Sequence, residues 1–189
     1  PGRNALGFVL GIYVHEMGHV WAMRRYGLQP TAPMFIPGFG AFVAADRLPN
    51  NVHESARIGL AGPIWGLGTA VFCALAAAAT GEPIWRALAH TLGFLNLLNL
   101  IPVWIFDGGR AVQALDKQQR WLVLAAAGVM LFLTGVGLNI LIMLGLAYRI
   151  FFAKDNTEKP DWRVAIEMIG LIATLSVLAS IPAERPGQF

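Results

Sequence analysis

Ala5-Leu-Gly-Phe-Val-Leu-Gly-Ile-Tyr-Val-His15-Glu16-Met-Gly-His19-Val-Trp-Ala-Met23 is an apolar stretch interrupted only by His15, Glu16 and His19. Its length suits one helical crossing of a bilayer, which takes roughly 20 residues. On a helix, positions four apart share a face, so both imidazoles of this His-Glu-x-x-His pattern can reach one ion. Glu16 points near the same place and is free to take a proton from water. Ionisable residues inside an apolar span are costly without partners, so the span reads as a functional metal site rather than a chance cluster.

The rest of the chain agrees with a membrane setting. Of its 189 residues, 56% are hydrophobic and 13% charged, with mean hydropathy +0.58. Soluble domains run at about 45–50% and about 25%. These figures exclude a disordered tail, a nucleic-acid arm and an ordinary cytosolic enzyme. The net charge of +3 reflects the Lys/Arg bias of cytoplasmic loops rather than an acidic partner. Cys73 is the single cysteine, so an intrachain disulfide and a cysteine-based metal site are excluded. It reads as apolar filler.

Four further apolar segments follow: Ile58 to Ala79, Ala87 to Phe106, Trp121 to Tyr148 and Val164 to Ala183. Arg24, Arg25, Arg57, Arg110, Lys117 and Arg120 flank the first three segments, and one topology places all of them in the cytoplasm. The fourth segment has 28 residues without a charge, about 42 Å as a single helix. Arg149, Lys154, Lys159 and Arg163 lie beyond it and are cytoplasmic only if it goes in and returns. Gly135 and Gly137 supply a turn at its centre, which favours a short hairpin over one long tilted helix. The expected fold is an all-α multi-pass membrane bundle of about 5–6 transmembrane helices. Between the first two segments, residues 31–45 are apolar but punctuated by Pro33, Pro37, Gly38 and Gly40. Prolines exclude a helix there, and short strands at the membrane interface with a Pro-Gly turn are expected.

Two histidines leave a tetrahedral zinc site short of one protein ligand and a water. Glu167 sits one turn into the last span and reads as snorkelling, His90 lies toward the outer end of its segment, and His53 has no partner histidine four residues on. Asp107 is the best-placed candidate, at the cytoplasmic end of the third segment. Gly108 and Gly109 after it let the backbone approach a neighbour. The competing role for Asp107 is a plain helix cap.

His-Glu-x-Gly-His in one span, Ala61-Gly62-Pro63 at the start of the next and Asn99-Leu-Ile-Pro102 with Asp107-Gly108 eight residues after Asn99 resemble the site-2 protease family of intramembrane zinc metalloproteases. The motifs occur in the family's order over roughly residues 8–115. The resemblance implies His15, His19 and Asp107 as ligands of one Zn2+ per chain and Glu16 as the catalytic base. It implies that Asn99 holds substrate backbone or the developing oxyanion. It makes the stretch around Phe35 to Val43 a membrane-associated strand element that offers an edge to an unwound substrate segment. The chain departs from the family at Gly66, where Asn is common, and at Trp104 and Ile105, where a further Pro is common.

The function these residues imply is zinc-dependent endopeptidase cleavage of transmembrane or membrane-anchored segments near the cytoplasmic side, in a prokaryotic cytoplasmic membrane. The partners are a membrane-protein substrate and the lipid bilayer, with no nucleic acid. The alternative is a non-peptidase zinc-binding membrane protein, a transporter or an inactive relative, which would not need Glu16 as a base. One domain is expected over residues 1–189, with a catalytic core at about 4–118 and C-terminal helices at about 119–183. The chain opens at Pro1 without a basic leader, and at least one more hydrophobic segment is expected upstream.

Overall fold

Helix α1 runs Gly2–Arg25 and ends on Arg24 and Arg25, whose charges suit the carbonyl end of a helix dipole. Gly27, at φ 71°, then closes the helix, and the Leu28 N–H returns to the Met23 carbonyl at 3.0 Å. This computed structural model describes residues 2–32, 34–36, 40–103, 105–153 and 160–182. Pro1, Pro33, Pro37, Gly38, Trp104, Lys154 and Lys159, all used in the sequence reading, lie outside the described residues.

Two three-residue strands, β1 (Met34–Ile36) and β2 (Gly40–Phe42), pair antiparallel with Met34 opposite Phe42 and Ile36 opposite Gly40. Val43, just past β2, is buried in a small cluster with Val20, Met23, Leu28 and Ile58. That cluster holds this end of the sheet against α1.

Helix α2 (Val52–Thr80) begins where the Asn51 side chain accepts the Glu54 N–H and ends at Gly81, at φ 70°. Helix α3 (Pro83–Asn99) starts with proline, which is tolerated at the first turn. It stops at Asn99, whereas the apolar run continues to Phe106. Pro102 explains the difference, because the residue before a proline is pushed out of the helical region. Residues 100–103 and 105–106 lie outside any helix, and helix resumes as the one-turn α4 (Asp107–Ala111), continued by a 3₁₀ turn at Val112–Ala114. Asp107 is therefore the first residue of a new helix rather than the last of α3.

The long fourth apolar segment is two helices. Helix α5 (Lys117–Thr134) opens with a reciprocal Asp116–Gln119 capping box and ends at Gly135, at φ 68°. Helix α6 (Leu138–Phe151) follows after Val136 and Gly137. Helix α7 (Trp162–Ala179) is capped by Asp161, whose carboxylate accepts from Arg163 and Val164 N–H. The same carboxylate pairs with Arg57 at 3.0 Å and His53 at 3.3 Å, pinning the start of α7 to the start of α2.

Helix α2 is the hub, packing against α1, α3, α4 and α7, while α5 lies on α6 and α7. Leu92, Leu97, Ile142, Leu146, Ile172 and Leu175 are fully buried in the shared core. Inside it, Asn139 Nδ2 donates to Ser176 Oγ at 3.0 Å, joining α6 to α7 by a satisfied polar pair. The outside is apolar as well. Phe132 is 89% exposed and Phe152 76%, with Leu6, Phe72, Leu144 and Ile166 also largely exposed. In water such a surface is an aggregation liability.

By length and composition, α2 (29 residues) and α7 (18 residues) are apolar enough to cross a bilayer, each with mean hydropathy 1.7. The same measure does not mark the remaining helices as spans. Helix α1 carries the motif's three polar residues, α3 has 17 residues, α5 starts on Lys117 and Arg120, and α6 has 14 residues.

Candidate metal centre

The site is built on α1. His15 and His19 lie one turn apart, and their Nε2 atoms face each other at 3.1 Å. The side chain of Asp107, brought in by α4, places Oδ2 3.2 Å from His15 Nε2 and 3.4 Å from His19 Nε2. Both histidines and Glu16 are buried, at 4%, 6% and 7% exposure.

Small residues make this convergence possible. A Cβ on Gly18 would run into the Ala61 carbonyl, so α1 and α2 touch through backbone. A Cβ on Gly108 would run into the Leu100 carbonyl, which lets the Asp107-Gly108 turn tuck under the end of α3. A Cβ on Gly62 would overlap the Nε2 atoms of His19 and His15, the latter at 2.6 Å. Gly62 is the floor of the cradle, and a glycine there keeps it open.

Hydrogen bonds behind the rings determine what the cradle presents. His19 Nδ1 lies 2.8 Å from the Ile58 carbonyl, which can only accept, so Nδ1 carries the proton. His15 Nδ1 lies 2.8 Å from Asn96 Oδ1. The orientation of that amide follows from its other end, since Asn96 Nδ2 donates to the Leu92 carbonyl at 2.8 Å. His15 Nδ1 is therefore also the protonated nitrogen. Two bare Nε2 lone pairs and a carboxylate oxygen converge within 3.4 Å. Such an array repels itself unless a cation or a proton sits among them.

The spacing fits zinc. Bonds of about 2.0–2.1 Å at the tetrahedral angle set neighbouring ligand atoms about 3.3–3.4 Å apart, and the three edges here are 3.1, 3.2 and 3.4 Å. Two nitrogens and one carboxylate oxygen are also a donor set that catalytic zinc sites use, leaving a fourth position open. Among the described residues, His15, His19 and Asp107 form the one cluster spaced to hold a metal ion.

Glu16 sits on the same turn of α1, and the titratable groups around it are His19, His15, Asp107 and Arg110. Asn99 ends α3 half-buried, one turn beyond Asn96, and takes no part in the hydrogen bonds that orient the two rings. The sequence reading missed Asn96. Its signal was an amide in the middle of an apolar helix, three residues before Asn99. Neither His90 nor Glu167 joins the cluster, and Glu167 instead pairs with Arg163 at 2.7 Å.

Residues 4–93 match the family model described as peptidase family M50. That match takes in His15, Glu16, His19 and Ala61-Gly62-Pro63, while Asn99 and Asp107 lie beyond it. A zinc metalloprotease of Methanocaldococcus jannaschii is 27% identical over an alignment that covers 79% of this chain and 48% of the relative. The chain thus spans about half the length of that curated relative. No solved structure matches the chain.

Proposed function

We propose that this chain, a relative of the M50 peptidases along its first half, is a zinc-dependent endopeptidase that cleaves membrane-embedded or membrane-anchored protein segments. The observation that carries the reading is the convergence of His15 Nε2, His19 Nε2 and Asp107 Oδ2 at zinc-ligand spacing, with buried Glu16 on the same turn. A zinc ion held there supplies Lewis-acid polarisation of a peptide carbonyl and makes water acidic enough to ionise near neutral pH. The Glu16 carboxylate takes the proton from water and passes it to the leaving amine. Asn99, at the end of α3, steadies substrate backbone or the oxyanion.

We place the site inside the membrane, near its cytoplasmic face. The apolar exterior supports this, as do α2 and α7, which are long enough to span. In this arrangement α1, α2, α3, the α5–α6 pair and α7 form a multi-pass bundle of 5–6 spans. Helices α5 and α6 rise about 27 Å and about 21 Å, so they form a hairpin that turns at Gly135–Gly137. Residues 4–118 are the catalytic core, and the later helices complete a single domain in a prokaryotic cytoplasmic membrane. A substrate helix has its carbonyls satisfied internally and must unwind before attack. The edge of the β1–β2 hairpin, beside the end of α1, is suited to hold such an extended stretch.

The test is metal analysis together with cleavage. Purified chain is expected to hold about one zinc and to cut a membrane-anchored reporter peptide, with chelation abolishing the cut. A zinc-free protein overturns the metal reading. Zinc-loaded protein that leaves every membrane-anchored reporter intact overturns the peptidase reading.

A further inference from the structure

The two imidazoles are oriented by different kinds of partner. His19 is held by a main-chain carbonyl, Ile58 O, which no side-chain substitution deletes. His15 is held by one side chain, Asn96 of α3, which is 1% exposed. An amide buried in an apolar helix is unfavourable unless it is satisfied. Asn96 is satisfied at both ends, by the Leu92 carbonyl and by the His15 ring. The amide reaches His15 only because α2 leaves a notch. A Cβ on Gly66 would fall on the Asn96 amide itself, against its Oδ1, Cγ and Nδ2. Gly62, one turn earlier on the same helix, opens onto the Nε2 side of the rings. One face of α2 thus makes room twice, for the metal cradle and for the group behind it.

We infer that Asn96 is a positioning residue that holds His15 in its Nδ1-protonated form, turning the Nε2 lone pair to the metal, and that Gly66 is its obligatory companion. The inference rests on the proposed metal centre and adds a residue that acts through His15 rather than on substrate. Groups behind a metal-ligating histidine are typically worth 10–100-fold in metal affinity. Asn96→Leu fills similar space without an acceptor, Asn96→Asp keeps the acceptor, and Gly66→Ala displaces the amide while leaving Asn96 in place.

The experiment uses the full chain in detergent and reads two quantities. Zinc affinity is measured by competition with a chromophoric chelator, and the His15 ring-nitrogen shifts by 15N NMR in metal-free protein at alkaline pH. Asn96→Leu and Gly66→Ala are each expected to weaken zinc binding by about 10–100-fold and to shift His15 toward a mixture of tautomers. Asn96→Asp is expected to stay within a few-fold of wild type. In an Asn96→Ala background, adding Gly66→Ala is expected to weaken binding no further. If Asn96 served only to join α1 to α3, Asn96→Leu would lower the melting temperature but leave zinc affinity and the His15 shifts unchanged, and that result overturns the inference. Should Asn96→Leu fail to fold, Gly66→Ala with wild-type zinc affinity and wild-type His15 shifts overturns it equally. A wild-type chain without zinc affinity defeats the metal reading instead. The shifts then decide the inference alone, with Nδ1-protonated His15 in wild type and a mixture in Gly66→Ala sustaining it.

Discussion

Gly62→Ala puts a single methyl group at the floor of the cradle. The added Cβ would lie 2.6 Å from His15 Nε2 and overlap His19 Nε2. Non-bonded heavy atoms are content at about 3.5 Å, so at least one imidazole must retreat by close to 1 Å. Metal–ligand distances in a working site hold to about ±0.2 Å, so that retreat takes a donor out of range. The loss should therefore equal or exceed that from deleting a group behind a ligand, on the order of 10–100-fold or more in zinc affinity. That corresponds to about 1.4–2.7 kcal/mol. Helix propensity pushes the other way, since Ala is favoured over Gly by about 1 kcal/mol in a helix interior. The variant should thus remain folded and helical while binding zinc poorly. Chelator competition in detergent, with circular dichroism as the check on folding, reads both quantities. A folded Gly62→Ala protein with wild-type zinc affinity would refute the placement of both Nε2 atoms at this cradle.

Other outcomes follow from the same geometry. Asp107→Ala is expected to lose most of the bound zinc by metal analysis while His90→Ala keeps it; normal zinc in Asp107→Ala removes the third ligand. At Asp161, burial pushes the carboxyl up, but the Val164 N–H and the Arg57 guanidinium outweigh it and hold the group below its ordinary range. A lowered folded value means that the stability is present above the unfolded value of about 3.9 and is lost as pH falls through the folded one. Asp161→Asn should then be less stable than wild type at neutral pH by about 1 kcal/mol, with the gap closing in acid; a gap independent of pH in thermal melts would refute the ion-pair assignment. For the hairpin, cysteines replacing exposed Lys117 and Phe152 should be labelled from the cytoplasmic side, and one replacing Gly137 from the other. Labelling of Lys117→Cys and Phe152→Cys from opposite sides would contradict it.

The parts of this protein that were legible in the sequence are those written in local spacing. His15 and His19 share a face because they are four apart, and the structure brings their Nε2 atoms to 3.1 Å. The break in the fourth segment was legible because Gly135 takes a positive φ that side chains resist. The end of α3 was misread, although Pro102 carried the signal, because the apolar run continues past it. What the sequence could not display was long-range. The acceptor for His19 is a backbone carbonyl, which every residue possesses, and the acceptor for His15 lies 81 residues away. The fit between Asn96 and Gly66 exists only once α2 and α3 pack. Glycine at position 66 therefore has a steric reason visible only in three dimensions: the Asn96 amide occupies the space that a Cβ would need.

The function proposed for this chain is hydrolysis inside the membrane by Glu16 beside the His15–His19–Asp107 centre. Its most direct test compares newly formed protein N-termini in membranes from cells expressing the wild-type chain with those from cells expressing Glu16→Gln. General-base transfer contributes about 10²–10⁴-fold, and the substitution leaves the three ligands in place. New N-termini are expected within or beside hydrophobic segments in wild-type membranes and absent from Glu16→Gln membranes, although that variant still binds zinc. The same N-termini at equal abundance in both, or none in either, would contradict it.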